Sequence, residues 1–169
     1  MPEAAKEPAM YEDKFMQRAL ALSALALSKP GTEPFGALVV RNGEIVGEGV
    51  NHSKANHDPT SHGETEAIRD ACRRLECVDL SGCDLYSSCE PCAMCVATMA
   101  IAGISKLYYA AGMDAAGAVI GDLPVSKRHP IDVEFVRSEA GKLIQDRQQP
   151  AEQHRSDEAV SILESWATN

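Results

Sequence analysis

No run of apolar residues in this sequence approaches the roughly 20 needed to cross a bilayer, and its acidic, Ala- and Pro-containing start lacks the basic-then-apolar order of a signal peptide. The cytoplasm is the expected compartment, with no membrane partner. Positive charge is also short: 16 Lys and Arg stand against 25 Asp and Glu, a formal net charge of −9. A negative surface repels a phosphate backbone unless a local basic patch overcomes it, and Lys127-Arg128-His129 is one small cluster with no basic tail beside it. Long nucleic acid is therefore not expected as a partner. Internal repeats and low-complexity tracts are absent as well.

What remains is ordinary globular material: 169 residues, 44% hydrophobic and 24% charged, the size of one compact domain with a real core. Residues 1–10 read as a loose tail. Phe15, Met16, Ala19, Leu20, Leu22 and Leu27 then mark a helix that stops at Lys29-Pro30-Gly31. Phe35 to Arg41 and Glu44 to Val50 are β-rich and flank Asn42-Gly43, the pair suited to a two-residue type I′ hairpin. A second helix is expected from about Ser61 to Leu75, with Ala67, Ile68, Ala71, Cys72 and Leu75 as its buried stripe.

Cys83 to Ser88 reads as a strand, Cys92 to Ala102 as a helix stopped by Gly103, and Ile104 to Ala110 as a strand, an order that implies a parallel crossover. A short helix at Asp114–Ile120, a strand at Ile131–Val136, a polar linker from Asp146 and a last helix from Ser156 to Ala167 complete the chain. The expected fold is α/β, a three-layer α/β/α sandwich with one mixed sheet. Residues 11–145 form its catalytic domain, and 146–169 are a linker and terminal helix.

Six cysteines could suggest disulfides, but an intracellular chain of this length needs none, and three of them fall in Cys89-Glu-Pro-Cys92-Ala-Met-Cys95. That clustering points to metal, with Cys72, Cys77 and Cys83 as small core residues. Zinc takes nitrogen and sulfur ligands in a tetrahedron, and a catalytic zinc keeps one position for water. His62, Cys92 and Cys95 supply three ligands for one Zn²⁺ per chain. Cys92 and Cys95 stand at an expected helix start, where the helix dipole favours thiolates. Residues two apart in a regular helix diverge, so His62 must lie at the helix tip for Glu64 to turn toward the same spot. A buried carboxyl there can carry protons in the hydrolytic removal of an amine. The alternatives are a closed site with Cys89 as fourth ligand and, in another class, a non-catalytic zinc-stabilised interaction module. Neither has a use for Glu64.

His62-Gly63-Glu64 followed by Pro91-Cys92-Ala93-Met94-Cys95 resembles the signature of zinc-dependent nucleobase deaminases. Over residues 11–140 the chain is similar to the cytidine deaminase superfamily. Pro34-Phe35-Gly36-Ala37, Asn51, Asp58-Pro59-Thr60 and Ser88-Cys89-Glu90-Pro91-Cys92 look like its branch of guanine, tRNA adenosine and fungal-type cytosine deaminases. The resemblance implies that Asn51 hydrogen-bonds the base and Phe35 walls the pocket. On residue chemistry alone, the plain alternatives are Asn51 as a turn residue after a strand and Phe35 as core.

Asp114-Ala115-Ala116 followed by Asp122 looks like the guanine deaminase segment that carries a substrate-facing carboxylate, and the helix bearing Trp166 could close the pocket. Asp122 as a solvated loop residue and Trp166 as a helix anchor are the plain alternatives. The resemblance implies deamination of a small-molecule nucleobase or nucleoside, guanine first, with cytosine or tRNA adenosine as alternatives. It also implies a homodimer.

Overall fold

A computed structural model describes residues 10–168, so the expected tail at 1–10 lies, apart from Met10, outside the described residues. In chain order the elements are α1 (Asp13–Ala24), β1 (Glu33–Arg41), β2 (Glu44–Asn51), α2 (Ser53–Asn56), α3 (Gly63–Leu75), β3 (Cys83–Cys89), α4 (Ala93–Ala102), β4 (Lys106–Ala111), α5 (Met113–Ile120), α6 (Val133–Ala140) and α7 (Ser156–Ala167). The strands form one mixed sheet in the order β2-β1-β3-β4. β1 is antiparallel to both β2 and β3, and β4 runs parallel to β3 across the α4 connection. The hairpin turn holds Asn42 at φ 54° and Gly43 at φ 80°, the left-handed pair that a type I′ turn requires.

Side chains alternate across a strand, and β1 shows where each set goes. Leu38 and Val40 meet Phe15, Met16, Ala19 and Leu22 of α1, while Ala37 and Val39 meet Ala67, Ile68 and Ala71 of α3. Burial on both faces explains why this strand reads as a continuous apolar run. Tyr86 of β3 extends the α1 face, with ring centroids 5.3 Å from Phe15 and 4.6 Å from Tyr108, and its hydroxyl accepts the Glu12 N–H at 3.1 Å. On the other face Leu85, Cys83, Leu80 and Ala102 pack with α3, and Cys72 and Cys77 lie against them. Those three cysteines are core residues, and all six in the chain are free.

Helix α3 approaches β2 more closely than side chains would allow. A Cβ built on Gly49 would stand 2.2 Å from the Gly63 carbonyl oxygen, and one on Gly47 would stand 2.4 Å from that of Ala67. These two glycines, on one face of β2, let the start of α3 sink toward the sheet.

Two expectations are corrected, and one short helix was not anticipated. The stretch Ile131–Val136 is not a strand: Val133 opens α6, where Arg137 pairs with Glu134 one turn back at 3.0 Å. β-branched residues there carry only a weak local preference, and among the described residues no strand pairs with them. The second helix starts at Gly63 and not at Ser61, because Asp58 folds the preceding loop by accepting both the Thr60 N–H and its hydroxyl. The short helix α2 gave no periodic signal in four residues.

The chain forms two compact units, one closing at Val133 and the other running from Glu134. In the second, Glu139 accepts the Gln148 N–H at 2.7 Å, and α7 occupies the residues expected of it. Among the described residues, no helix is long and apolar enough to cross a membrane.

Gly49→Ala should destabilise the protein by more than about 2 kcal/mol, toward the upper part of the overpacking range, since backbone atoms stand in the way. A urea midpoint equivalent to a loss below about 0.5 kcal/mol would contradict the close seating of α3.

Candidate active site

Helices α3 and α4 both begin at the same place. His62 is the residue before the first turn of α3, with extended backbone (φ −79°, ψ 156°), and Cys92 holds the same position on α4 (φ −71°, ψ 169°). Neither helix has a side-chain cap, so each cap position is free to offer its side chain elsewhere. The extended conformation resolves the spacing problem of His62 and Glu64: the ring leaves from outside the helix, and Glu64 turns inward from its first turn. Cys95 follows Cys92 by three residues and returns to the same side.

The donor atoms form a nearly regular triangle. Nδ1 of His62 lies 3.6 Å from Sγ of Cys92 and 3.6 Å from Sγ of Cys95, and the sulfurs are 3.7 Å apart. Zinc with Zn–S bonds of about 2.3 Å and Zn–N of about 2.0–2.1 Å, at tetrahedral angles, spans edges of about 3.8 Å between sulfurs and about 3.6 Å between sulfur and nitrogen. The side chains therefore fit three corners of a zinc tetrahedron. Among the described residues no fourth Cys, His, Asp or Glu joins this cluster, so Cys89 is not part of it.

The charge balance fits a dication too. The Cys92 thiol is brought down to about 4, first by the hydrogen bond from Cys95 and also by the one from His62, against the opposing effect of burial. The same sulfur–sulfur bond, with burial, pushes the Cys95 thiol far up. His62 is raised, chiefly by Cys92. A bound dication would hold both sulfurs as thiolates, the form zinc requires.

Glu64 is buried beside this triangle. Its Oε2 lies 3.5 Å from Cys95 Sγ, and its Oε1 accepts the Ser87 hydroxyl at 3.2 Å. Burial pushes its carboxyl above the ordinary range, with the positive His62 pulling the other way. Above the carboxyl opens a cavity of about 200 Å³, walled by Phe35, Met113, Ala116, Ile120, Ile131 and Val133 and reached by Asn51, His62, Glu64, Glu90, Cys92 and Arg128. Oδ1 of the buried Asn51 accepts the Ser53 N–H at 3.0 Å, which fixes the amide and leaves its Nδ2 as the donor for the cavity. The Glu90 carboxylate accepts the Met113 N–H at 2.9 Å and so holds the start of α5, which forms the opposite wall.

Residues 10–111 match the family model described as the cytidine and deoxycytidylate deaminase zinc-binding region. The chain belongs to this zinc-dependent deaminase family. It is 35% identical to the guanine deaminase of Bacillus subtilis over 93% of this chain and 94% of that protein. The X-ray structure of that protein superposes with a TM-score of 0.78, covering 95% of this chain and 96% of the other at 32% identity. The tRNA-specific adenosine deaminase of Aquifex aeolicus is 39% identical over 60% of this chain and 67% of its own. A relative solved with 2,6-diaminopurine is 30% identical, with a TM-score of 0.60 over 64% of this chain and 60% of its own.

Of the site residues read from this deaminase's sequence, Phe35, Asn51, His62, Glu64 and Cys92 meet at the cavity, with Cys95 buried beneath it. Asp122 does not line it. The residue lies just past Gly121, on an exposed loop. Trp166 lies in the second unit on α7 and is 79% exposed, so its side chain is not a core anchor there. Sequence reasoning gave no cavity role to Ser87, Glu90, Glu33 or Arg128. Glu90 carried a signal, sitting inside the Cys89-Glu90-Pro91-Cys92 motif, and Arg128 was visible only as part of a small basic cluster.

Metal analysis should find one zinc per chain. Cys95→Ser and His62→Ala should each bring zinc below about a tenth of that, while Glu64→Gln keeps it, measured by elemental analysis after gel filtration. Full zinc retention in both ligand variants would exclude this triangle as the site.

Proposed function

We propose that this chain removes the amine of guanine by hydrolysis, giving xanthine and ammonia, as a cytoplasmic enzyme acting on the free base. What carries the choice of guanine is the extent of the likeness: the similarity to guanine deaminase runs through 93% of the chain, whereas that to the tRNA deaminase covers 60%. Two features of the molecule support it. The cavity of about 200 Å³ is smaller than the roughly 300–1,000 Å³ of pockets that take drug-sized ligands, which suits a base without its ribose. The net charge of −9 disfavours a tRNA partner.

In this reading His62, Cys92 and Cys95 hold the zinc, which when bound supplies the Lewis acidity that brings a water's pKa toward neutrality. Glu64 moves the protons. Its Oε1 is held by Ser87, so Oε2, on the Cys95 side, is the oxygen that exchanges them. A carboxyl raised by burial can take a proton from the attacking water, deliver it to a ring nitrogen and then assist the departing amine. Asn51 Nδ2 orients the base, and Phe35 with Ile120 and Met113 keeps water from its faces. Asp122 would meet the purine's N–H groups only after its loop moves inward.

The active form is a homodimer. Helix α4 carries no charged residue, and its outward side chains include Val96 and Ile101, the latter 87% exposed. An apolar face of this kind on a helix that carries two metal ligands suits a symmetric contact with a second copy. Ile101→Glu should shift the molecule from dimer to monomer in light scattering, and a monomer in the unaltered protein would contradict the dimer.

Ammonia release across guanine, guanosine, cytosine, adenine and the wobble-position adenosine of a tRNA anticodon stem-loop tests the substrate. Guanine should be preferred by at least about tenfold. Turnover of cytosine or the stem-loop with guanine untouched would overturn the choice. Glu64→Gln should lower kcat by about 10²–10⁴-fold without loss of fold, whereas a zinc-stabilised interaction module would be indifferent to it.

A further inference from the structure

Arg128 is the only lysine or arginine among the described residues lining the cavity. Its Nε donates to Oε2 of Glu33 at 2.9 Å, in a pair whose side chains are only 18% and 11% exposed, and its guanidinium lies 5.5 Å from the centroid of the Phe35 ring. The two residues are 95 positions apart, joining the loop after α5 to the start of β1. That loop has a second tie, because Lys54 Nζ donates to the carbonyls of Ser126 and Lys127 at 3.0 and 3.2 Å. A buried ion pair is a costly way to fasten a loop that apolar side chains could hold equally well. Its placement on the cavity wall suggests another use.

We infer that Arg128 is a specificity-determining residue: Glu33 and Phe35 hold its guanidinium so that the remaining N–H groups read the acceptor edge of the bound purine, the oxygen on C6 and N7. The inference rests on the purine-base reading above and deepens it. Guanidinium is a planar fork of five donors with no acceptor, and a bidentate pair with O6 and N7 of guanine is the contact such a fork makes best. Glu33 takes the Nε donor and fixes the plane, and the aromatic face of Phe35 supports it. The rest of the cavity leaves this role open. Glu64 and the three metal ligands serve the amine end, Glu90 is committed to the Met113 N–H, and the single NH2 group of Asn51 offers two donors from one atom, without the planar fork of a guanidinium. A purine held with its amine at the metal end turns an acceptor-rich edge away from it, and an acidic wall there would repel that edge.

The test is calorimetric binding of two probes to the full-length, zinc-loaded protein: 8-azaguanine, which has both acceptors, and 2-aminopurine, the purine lacking the C6 oxygen. The unaltered protein should bind 8-azaguanine at least about tenfold more tightly. Arg128→Met should weaken 8-azaguanine by about ten- to hundredfold and 2-aminopurine, which keeps N7 alone, by a several-fold smaller factor, so that the preference shrinks. Arg128→Lys keeps a cation beside Glu33 but loses the fork, and should lose the same preference with its melting temperature unchanged. Equal losses for both probes would make Arg128 a loop fastener only, and unchanged binding would give it no role; either overturns the assignment while leaving the purine reading intact. If the unaltered protein binds neither purine, that reading fails and the assignment falls with it.

Discussion

Everything chemical in this molecule depends on two helices beginning at one point. The tips of α3 and α4 bring an imidazole and two sulfurs to within 3.6–3.7 Å of one another, the edge lengths of a zinc tetrahedron. This convergence needs a sheet that offers both helices the same side. It also needs α3 to lie nearly on the backbone of β2, which Gly47 and Gly49 permit. Once the tips meet, the positive ends of two helix dipoles favour thiolate, and the burial that favours a neutral Glu64 follows from the same crowding.

The cavity is built outward from that point by polar contacts, three of them between residues 23 or more apart in sequence. Ser87 fixes one oxygen of Glu64, Ser53 fixes the amide of Asn51, Glu90 holds the start of α5, and Glu33 holds Arg128. Each is a side chain immobilised by a neighbour, the arrangement that positions groups for differential recognition. The family supplies the reaction.

The sequence was most legible where chemistry and geometry coincide. His62, Glu64, Cys92 and Cys95 are readable because metal ligation demands their types at their spacings, and the Asn42-Gly43 hairpin because few residue pairs tolerate two left-handed positions. The apolar run of β1 and the stripe of α3 belong to the core, as their composition and spacing indicated. Ile131–Val136 misled because β-branched residues describe a preference for half-buried surface, and only the rest of the fold says whether a strand is there to accept it. The partnership of Glu33 with Arg128 had no local signature: an acid before a proline and a base in an irregular loop acquire meaning only when the chain brings them together. Asp122, suggested by resemblance, lies on an exposed loop beside the cavity and not in its wall.

The most direct test of the centre is X-ray absorption at the zinc edge on the loaded protein in solution. Two sulfur neighbours at about 2.3 Å, one imidazole nitrogen and one further light atom exchangeable with solvent are required of an open, three-ligand site. Three sulfurs, with Cys89 drawn in and no exchangeable neighbour, would make the ion structural and contradict catalysis at this site.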